Sequence, residues 1–258
     1  MKITSLLENT AARDDMRIEH GLSLLIETGT HRILFDMGQS DAFLQNAEIL
    51  GESLETVDLA ILSHGHYDHG GGLSSFLTIN DHAPVYISHH AFGSYRNGTQ
   101  KYIGLDPSLA THPRLVFTDG VQPIGEKLTL YTEPKQTPRF DLGSFGLTKK
   151  VGDRYVPDDF RHEQYLLIEE NGRRILFSGC SHRGILNIAD WFHPDVLIGG
   201  FHFSKLAEDA TLRSYAEYLD RFDTEFYTCH CTGEVQFRYM KQTMRRLHYL
   251  SCGENIVI

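Results

Sequence analysis

The sequence predicts a mixed α/β fold in which two mixed sheets are sandwiched between layers of helix. Three observations carry that expectation. Strand-like and helix-like stretches alternate in both halves of the chain, which implies sheets covered by helices. Some strand candidates, such as 57-VDLAILS-63, are near-continuous apolar runs suited to burial on both faces. Hairpin signals are mixed in, which brings antiparallel pairs into the sheets. With 258 residues the chain can bury a substantial core without staples. It is read as one domain over 1–258, with a loop-rich insertion at about 90–160.

The elements follow in order. The runs 22-LSLLIE-27 and 32-RILFD-36, joined by the turn-like 28-TGTH-31, read as a hairpin. A helix is expected over 41-DAFLQNAEIL-50, ended by Gly51, and then the strand 57–63. The helix-like 73-LSSFL-77 precedes a strand at 84-PVYIS-88. Residues 90–160 hold six of the eight prolines (Pro107, Pro113, Pro123, Pro134, Pro138, Pro157) and short strand candidates at 114-RLVF-117 and 128-LTLYTE-133. Such irregular segments often carry substrate contacts. In 164-QYLLIEENGRRILFSG-179, Asn171-Gly172 between apolar runs is a strong hairpin signal. Helices are then expected over 184–192, 207–222 and about 235–248, with strands at 195–200, 225–229 and 255–258.

The formal net charge of -10 argues against a nucleic-acid partner, since backbone binding needs a basic excess or stripe. The short basic patch 241-KQTMRRLH-248 reads as the polar face of a helix. No apolar run reaches the length of a membrane span, and the N-terminus lacks a signal-peptide pattern, so no membrane partner is expected. Four cysteines (Cys180, Cys229, Cys231, Cys252) are too sparse for a disulfide framework, which places the chain in a reducing cytoplasm.

The chemistry concentrates in 61-ILSHGHYDHGGGL-73. A strand ending at Ser63 releases His64, His66, Asp68 and His69 into a loop. Spacing of i, i+2 lets two imidazoles converge on one ion, while Asp68 and His69 turn toward a second position. The three following glycines remove side chains where backbone approaches the site closely. Imidazole nitrogen and carboxylate oxygen suit zinc, iron or manganese.

His64-x-His66-x-Asp68-His69 after an apolar strand resembles the signature of the metallo-β-lactamase fold superfamily. The resemblance spans nearly the whole chain, and Asp36 in 34-LFDMG-38 matches that superfamily's early aspartate. The stretches 19-EHGLSLLIE-27, 178-SGCSHRGI-185, 199-GGFHF-203 and 229-CHCTG-233 are similar to one branch. That branch holds proteins similar to 7,8-dihydropterin-6-methyl-4-(β-D-ribofuranosyl)aminobenzene 5'-phosphate synthase. The resemblance implies an αββα sandwich with one or two metal ions between the sheets at one edge. It implies one ion on His64, His66 and a later histidine, and a second on Asp68, His69 and His230. Where many members have a bridging aspartate this chain has Cys180, with His182 two residues on; either could ligate, and His162 is a third candidate. Asp36 is expected to orient a ligand histidine. His202 is a candidate for substrate contact or proton transfer, His20 for an outer role, and His89 and His90 end the strand at 84–88.

The expected function is a zinc-dependent hydrolase or lyase, with iron or manganese as alternatives, acting on an ester, phosphoester or pterin-related small molecule. Asp68 would transfer a proton as well as bind metal. A di-iron redox protein and a non-catalytic metal-binding regulator are the rival readings.

Overall fold

The computed structural model describes residues 1–132 and 136–258. Two seven-stranded sheets dominate it. The first runs Asn255–Val257, Lys2–Leu7, Ser23–Glu27, Arg32–Phe35, Leu59–Leu62, Val85–Ser88, Leu115–Thr118. The second runs Leu247–Tyr249, Glu225–Thr228, Val196–Ile198, Arg173–Phe177, Gln164–Glu170, Leu128–Thr132, Val121–Pro123.

The side-chain period of two explains the layers. In the strand Arg32–Phe35, Ile33 and Phe35 point into the core between the sheets, while Leu34 points to the outer core. Leu59 and Ile61 point inward as well, with Ala60 and Leu62 outward. The second sheet answers with Leu166, Ile168, Ile175 and Phe177 facing the first sheet, and Tyr165, Leu167 and Leu176 facing away. Each fully buried aliphatic or aromatic side chain contributes about 1.5–3 kcal/mol. The outer face of the first sheet is covered by helices Ala42–Leu50 and Leu73–Ile79; that of the second by Ile185–Phe192, Ala210–Leu219 and Glu234–Lys241. This is the αββα order that the sequence predicts.

The hairpin at Asn171-Gly172 forms as its residues dictate. Both have positive φ (53° and 75°), and Glu170 pairs with Arg173 across a two-residue turn. Other boundaries move. The helix expected to reach residue 248 stops at Lys241, and Leu247–Tyr249 instead pairs in parallel with Glu225–Thr228. The strand Lys2–Leu7, joined to both Ser23–Glu27 and Asn255–Val257, has no counterpart in the sequence reading. The stretch expected as loop-rich forms a third, four-stranded sheet in the order Arg154–Pro157, Leu147–Val151, Tyr95–Asn97, Lys101–Tyr102. The strand candidate at 128–133 is observed as Leu128–Thr132; Glu133 and Pro134 lie outside the described residues. Among the described residues no helix is long and apolar enough to cross a membrane.

In both large sheets the central strands are parallel, so their carboxyl ends share an edge. Binding sites gather at such ends.

Candidate metal centre

Five strands that end at that edge deliver the cluster. Arg32–Phe35 delivers Asp36, and Leu59–Leu62 delivers His64, His66, Asp68 and His69. Arg173–Phe177 delivers Cys180 and His182; Val196–Ile198 leads to His202, and Glu225–Thr228 to His230. Asp36, Ser181, His202 and His230 all have left-handed φ, between 50° and 61°. Non-glycine residues rarely adopt it, and such strain gathers where surrounding structure fixes a functional geometry.

The glycines act by close approach. A Cβ on Gly71 would lie 2.4 Å from the Gln39 carbonyl oxygen, and one on Gly72 2.2 Å from that of Met37. At Gly179, where the two sheets come together, a Cβ would lie 2.1 Å from Ser63 Oγ.

Four groups of ligand-type atoms form among the described residues, each within 4.8 Å. The first is His64, His66 and His182, and the second Asp68, His69, Cys180 and His230; Cys180, His202 and Cys231, and His66, Asp158 and His162, make two further sets that share members with them. In the first, the three ring centroids lie 4.7, 4.9 and 5.0 Å apart. Nε2 of His64, Nε2 of His66 and both ring nitrogens of His182 are buried without a hydrogen-bond partner. Unpaired buried polar atoms are costly, so several converging on one point is the pattern of a site completed by a bound group. Burial pushes all three imidazoles down, His66 to about 3, so they are neutral at neutral pH and keep lone pairs for a cation. The ring of His182 is stacked on Phe160 at 4.6 Å.

In the second group, His69 Nε2 lies 3.1 Å from Cys180 Sγ and 3.2 Å from His230 Nε2, and Asp68 Oδ2 lies 3.5 Å from His230 Nε2. Burial works against an ionised Asp68, but hydrogen bonds from His20 and His230 outweigh it and hold the carboxyl well below its usual range. Burial likewise disfavours a charged His69, and the adjacent Asp36 carboxylate overcomes this and raises it. Cys180 and His182, alternatives in the sequence, are both present, one in each group.

Buried acceptors set the orientation of these rings. Asp36 accepts from Ser63 N at 2.7 Å, from Ser63 Oγ at 2.7 Å and from His69 Nδ1 at 2.7 Å. Ser63 Oγ in turn lies 2.8 Å from His64 Nδ1. The network therefore assigns the proton of both rings to Nδ1 and turns Nε2 toward the cluster. His230 Nδ1 donates to Asn9 Oδ1 at 2.8 Å, while Asn9 Nδ2 donates to His20 Nδ1 at 3.2 Å. That leaves His20 Nε2 to donate to Asp68 Oδ2 at 3.2 Å.

The remaining candidates separate. His162 is fully buried, not a surface residue, and has no free nitrogen: Nδ1 accepts from Gly65 N at 3.0 Å and Nε2 faces Asp158 Oδ2 at 3.1 Å. It braces the loop that carries His64 and His66. His202 stands beside the first group, 4.3 Å from the His182 ring, with a buried, unpartnered Nδ1. His89 and His90 belong to neither group. Glu8, Asn9, Asp158 and Glu163 are absent from the sequence reading. Glu163 accepts from His182 N at 2.7 Å and Arg183 N at 3.1 Å, and Glu8 accepts from His230 N. Lone acidic residues far from the motif give no periodic or spacing signal of such a role.

A cavity of about 200 Å³ opens onto the cluster, lined by His66, Asp68, Cys180, His182 and His202 among others.

Comparison with known proteins agrees with this geometry. Residues 17–221 match the Metallo-beta-lactamase superfamily. An uncharacterized protein of Methanocaldococcus jannaschii, MJ0448, is 30% identical over 241 residues, covering 90% of each chain. The 7,8-dihydropterin-6-methyl-4-(beta-D-ribofuranosyl)-aminobenzene-5'-phosphate synthase of the same organism is 28% identical, over 96% of this chain and 94% of its own. The crystal structure of Tm1679, described as a metal-dependent hydrolase of the beta-lactamase superfamily, superposes with a TM-score of 0.84 at 26% identity, covering 100% of this chain and 99% of that one. Fold, site and sequence agree: the chain belongs to the metallo-beta-lactamase superfamily.

Proposed function

We propose that this protein is a metal-dependent hydrolase acting on an ester or phosphoester bond of a small molecule. One observation carries the reading: the bare, buried ring nitrogens of His64, His66 and His182 converge where nothing in the protein satisfies them. A first ion would be held by those three histidines. A second would be held by Asp68, His69, Cys180 and His230, with Cys180 as a thiolate ligand. Zinc suits this set of imidazole, carboxylate and thiolate. A bound divalent ion supplies Lewis acidity and lowers the pKa of water toward neutrality.

The chain's own residues do the rest. Asp68 stays ionised and can accept a proton at Oδ2, the atom on which His20 donates. His202 lines the cavity beside the His182 ring and is the residue placed to contact a leaving group or substrate hydroxyl. Asp36, acting through Ser63 and directly on His69, holds one ring of each group in place. The four free, buried thiols suit a reducing compartment such as the cytoplasm.

A second reading is synthase chemistry on a pterin-related precursor. The 28% identity to the synthase over nearly the full length of both chains supports it. One experiment separates the readings. Metal is quantified in protein purified without added metal, and a panel of phosphodiesters, lactones, thioesters and pterin precursors is assayed with wild type and His66→Ala. Bound zinc with hydrolysis abolished in the variant is the expected result. Turnover of pterin precursors alone favours the synthase, and stoichiometric iron with no hydrolysis overturns both.

A further inference from the structure

The small sheet beside the cleft reverses the sign of the chain's charge. Its four strands carry Arg96, Lys101, Lys149, Lys150 and Arg154 and no Asp or Glu, in a protein of net charge -10. The sheet packs on the site itself: Tyr95, Leu147, Ile103 and Phe160 form one buried cluster, and the Tyr95 ring lies 4.0 Å from that of His162. Two of its cations are engaged locally. Lys149 pairs with Asp159 at 2.6 Å, and Arg96 donates to the Gln100 carbonyl at 2.7 Å and lies over the Tyr102 and Tyr155 rings.

Lys101 is different. Its Nζ donates to Tyr67 Oη at 3.3 Å and stands 5.1 Å from the Tyr67 ring centroid. Tyr67 lies between His66 and Asp68, so the ammonium is tied to the metal motif. Lys101 lines the cavity of about 200 Å³, and so does Lys205, two residues beyond Phe203. Among the described residues neither lysine has a carboxylate partner, although both sit in an acidic protein. Two unneutralised ammonium groups at a narrow cleft attract and orient an anion.

We propose that Lys101 and Lys205 form an anion subsite that holds a phosphate or carboxylate of the substrate while its neutral, scissile bond lies over the histidines. Tyr67 is a positioning residue for Lys101. This deepens the hydrolase reading and rests on it for the identity of the scissile bond. The basic strands beside Lys101 favour the approach of anions over neutral esters.

The test is calorimetric titration of inorganic phosphate, and in parallel acetate, into the metal-loaded protein. Variants are Lys101→Ala, Lys205→Ala, the double variant, and Lys150→Ala as a control in the same sheet outside the cavity. Each cleft lysine removed should weaken phosphate binding by roughly tenfold, and the control should leave it unchanged, with metal content equal in all. Equal lysine dependence for acetate identifies a general oxyanion site; dependence for phosphate alone identifies a phosphate site. No phosphate binding, or an affinity unaltered in the double variant, overturns the proposal. The same titration on metal-stripped protein keeps the two ideas apart. Lysine-dependent binding that persists there supports the subsite even where no hydrolysis is found. Hydrolysis with lysine-independent phosphate affinity overturns the subsite and leaves the hydrolase reading standing.

Discussion

The two ligand groups lie side by side, with the His64 and His69 rings 4.1 Å apart, yet they differ in how the protein treats them. In the group of His64, His66 and His182 the inward nitrogens have no hydrogen-bond partner, and Asp158 Oδ2 stands 4.0 Å from His66 Nε2. In the group of Asp68, His69, Cys180 and His230 the inward atoms contact one another at 3.1–3.5 Å. A proton on His69, raised by Asp36, can bridge that second group without a metal; the first group has only an ion to satisfy it. The lesson is that two sites with similar ligand counts need not bind equally. The first is built to be filled, and the second can rest in a hydrogen-bonded state.

That contrast yields graded expectations. The largest effect belongs to His66→Ala, which removes a ligand of the first group: metal affinity there should fall by more than about 100-fold, beyond the range set by outer partners. Elemental analysis after dialysis checks it, with the second group's metal following. Asp36→Asn comes next, because one carboxylate orients His69 directly and His64 through Ser63. Affinity should drop by about 10–100-fold at both groups, whereas Asn9→Ala, which frees His230 and the His20 ring that faces Asp68, should affect the second group alone. A competition titration with a chromophoric chelator distinguishes the two variants.

Acid should act on the metal-free protein through the first group. The His66 pKa is about 3 in the folded chain, against about 6.5 unfolded, so the unfolded state binds more protons between those values. Stability is therefore full above about pH 6.5 and is lost as pH falls toward 3. His64 and His182 act in the same direction and His69 in the opposite one. Denaturation midpoints across that window should be flatter for metal-free His66→Asn. The smallest effect on metal is expected for His162→Ala. It should cost about 1–3 kcal/mol of stability by removing the hydrogen bonds of Asp158 Oδ2 and Gly65 N in the interior, and leave the number of bound ions unchanged.

The sequence revealed what depends on local pattern. Apolar runs at 22–36 and 164–179 announced hairpins of both sheets, Asn171-Gly172 announced its turn, and the histidine motif announced half of the cluster. What it concealed depends on contacts across long separations. Glu8 reaches His230, Glu163 reaches His182, and Asn9 sets two rings at once, yet each is far along the chain from the histidines it holds, apart from His20 at eleven residues from Asn9. The strand Lys2–Leu7 has neither a turn signal nor a motif to mark it, and is fixed only by its neighbours on both sides. The basic sheet is invisible as a stripe because residues 96, 101, 149, 150 and 154 become neighbours only through pairing. Cys180 and His182 read as rivals because spacing alone could not show that a left-handed Ser181 between them sends their side chains to different groups.

The most direct test of the central claim is an anomalous diffraction map at the zinc edge from crystals of protein purified without added metal. The account predicts a strong peak bounded by the ring nitrogens of His64, His66 and His182, with a peak at Asp68, His69, Cys180 and His230 of equal or lower occupancy. A map with no peak at the three histidines, or with density only at the second group, would contradict it.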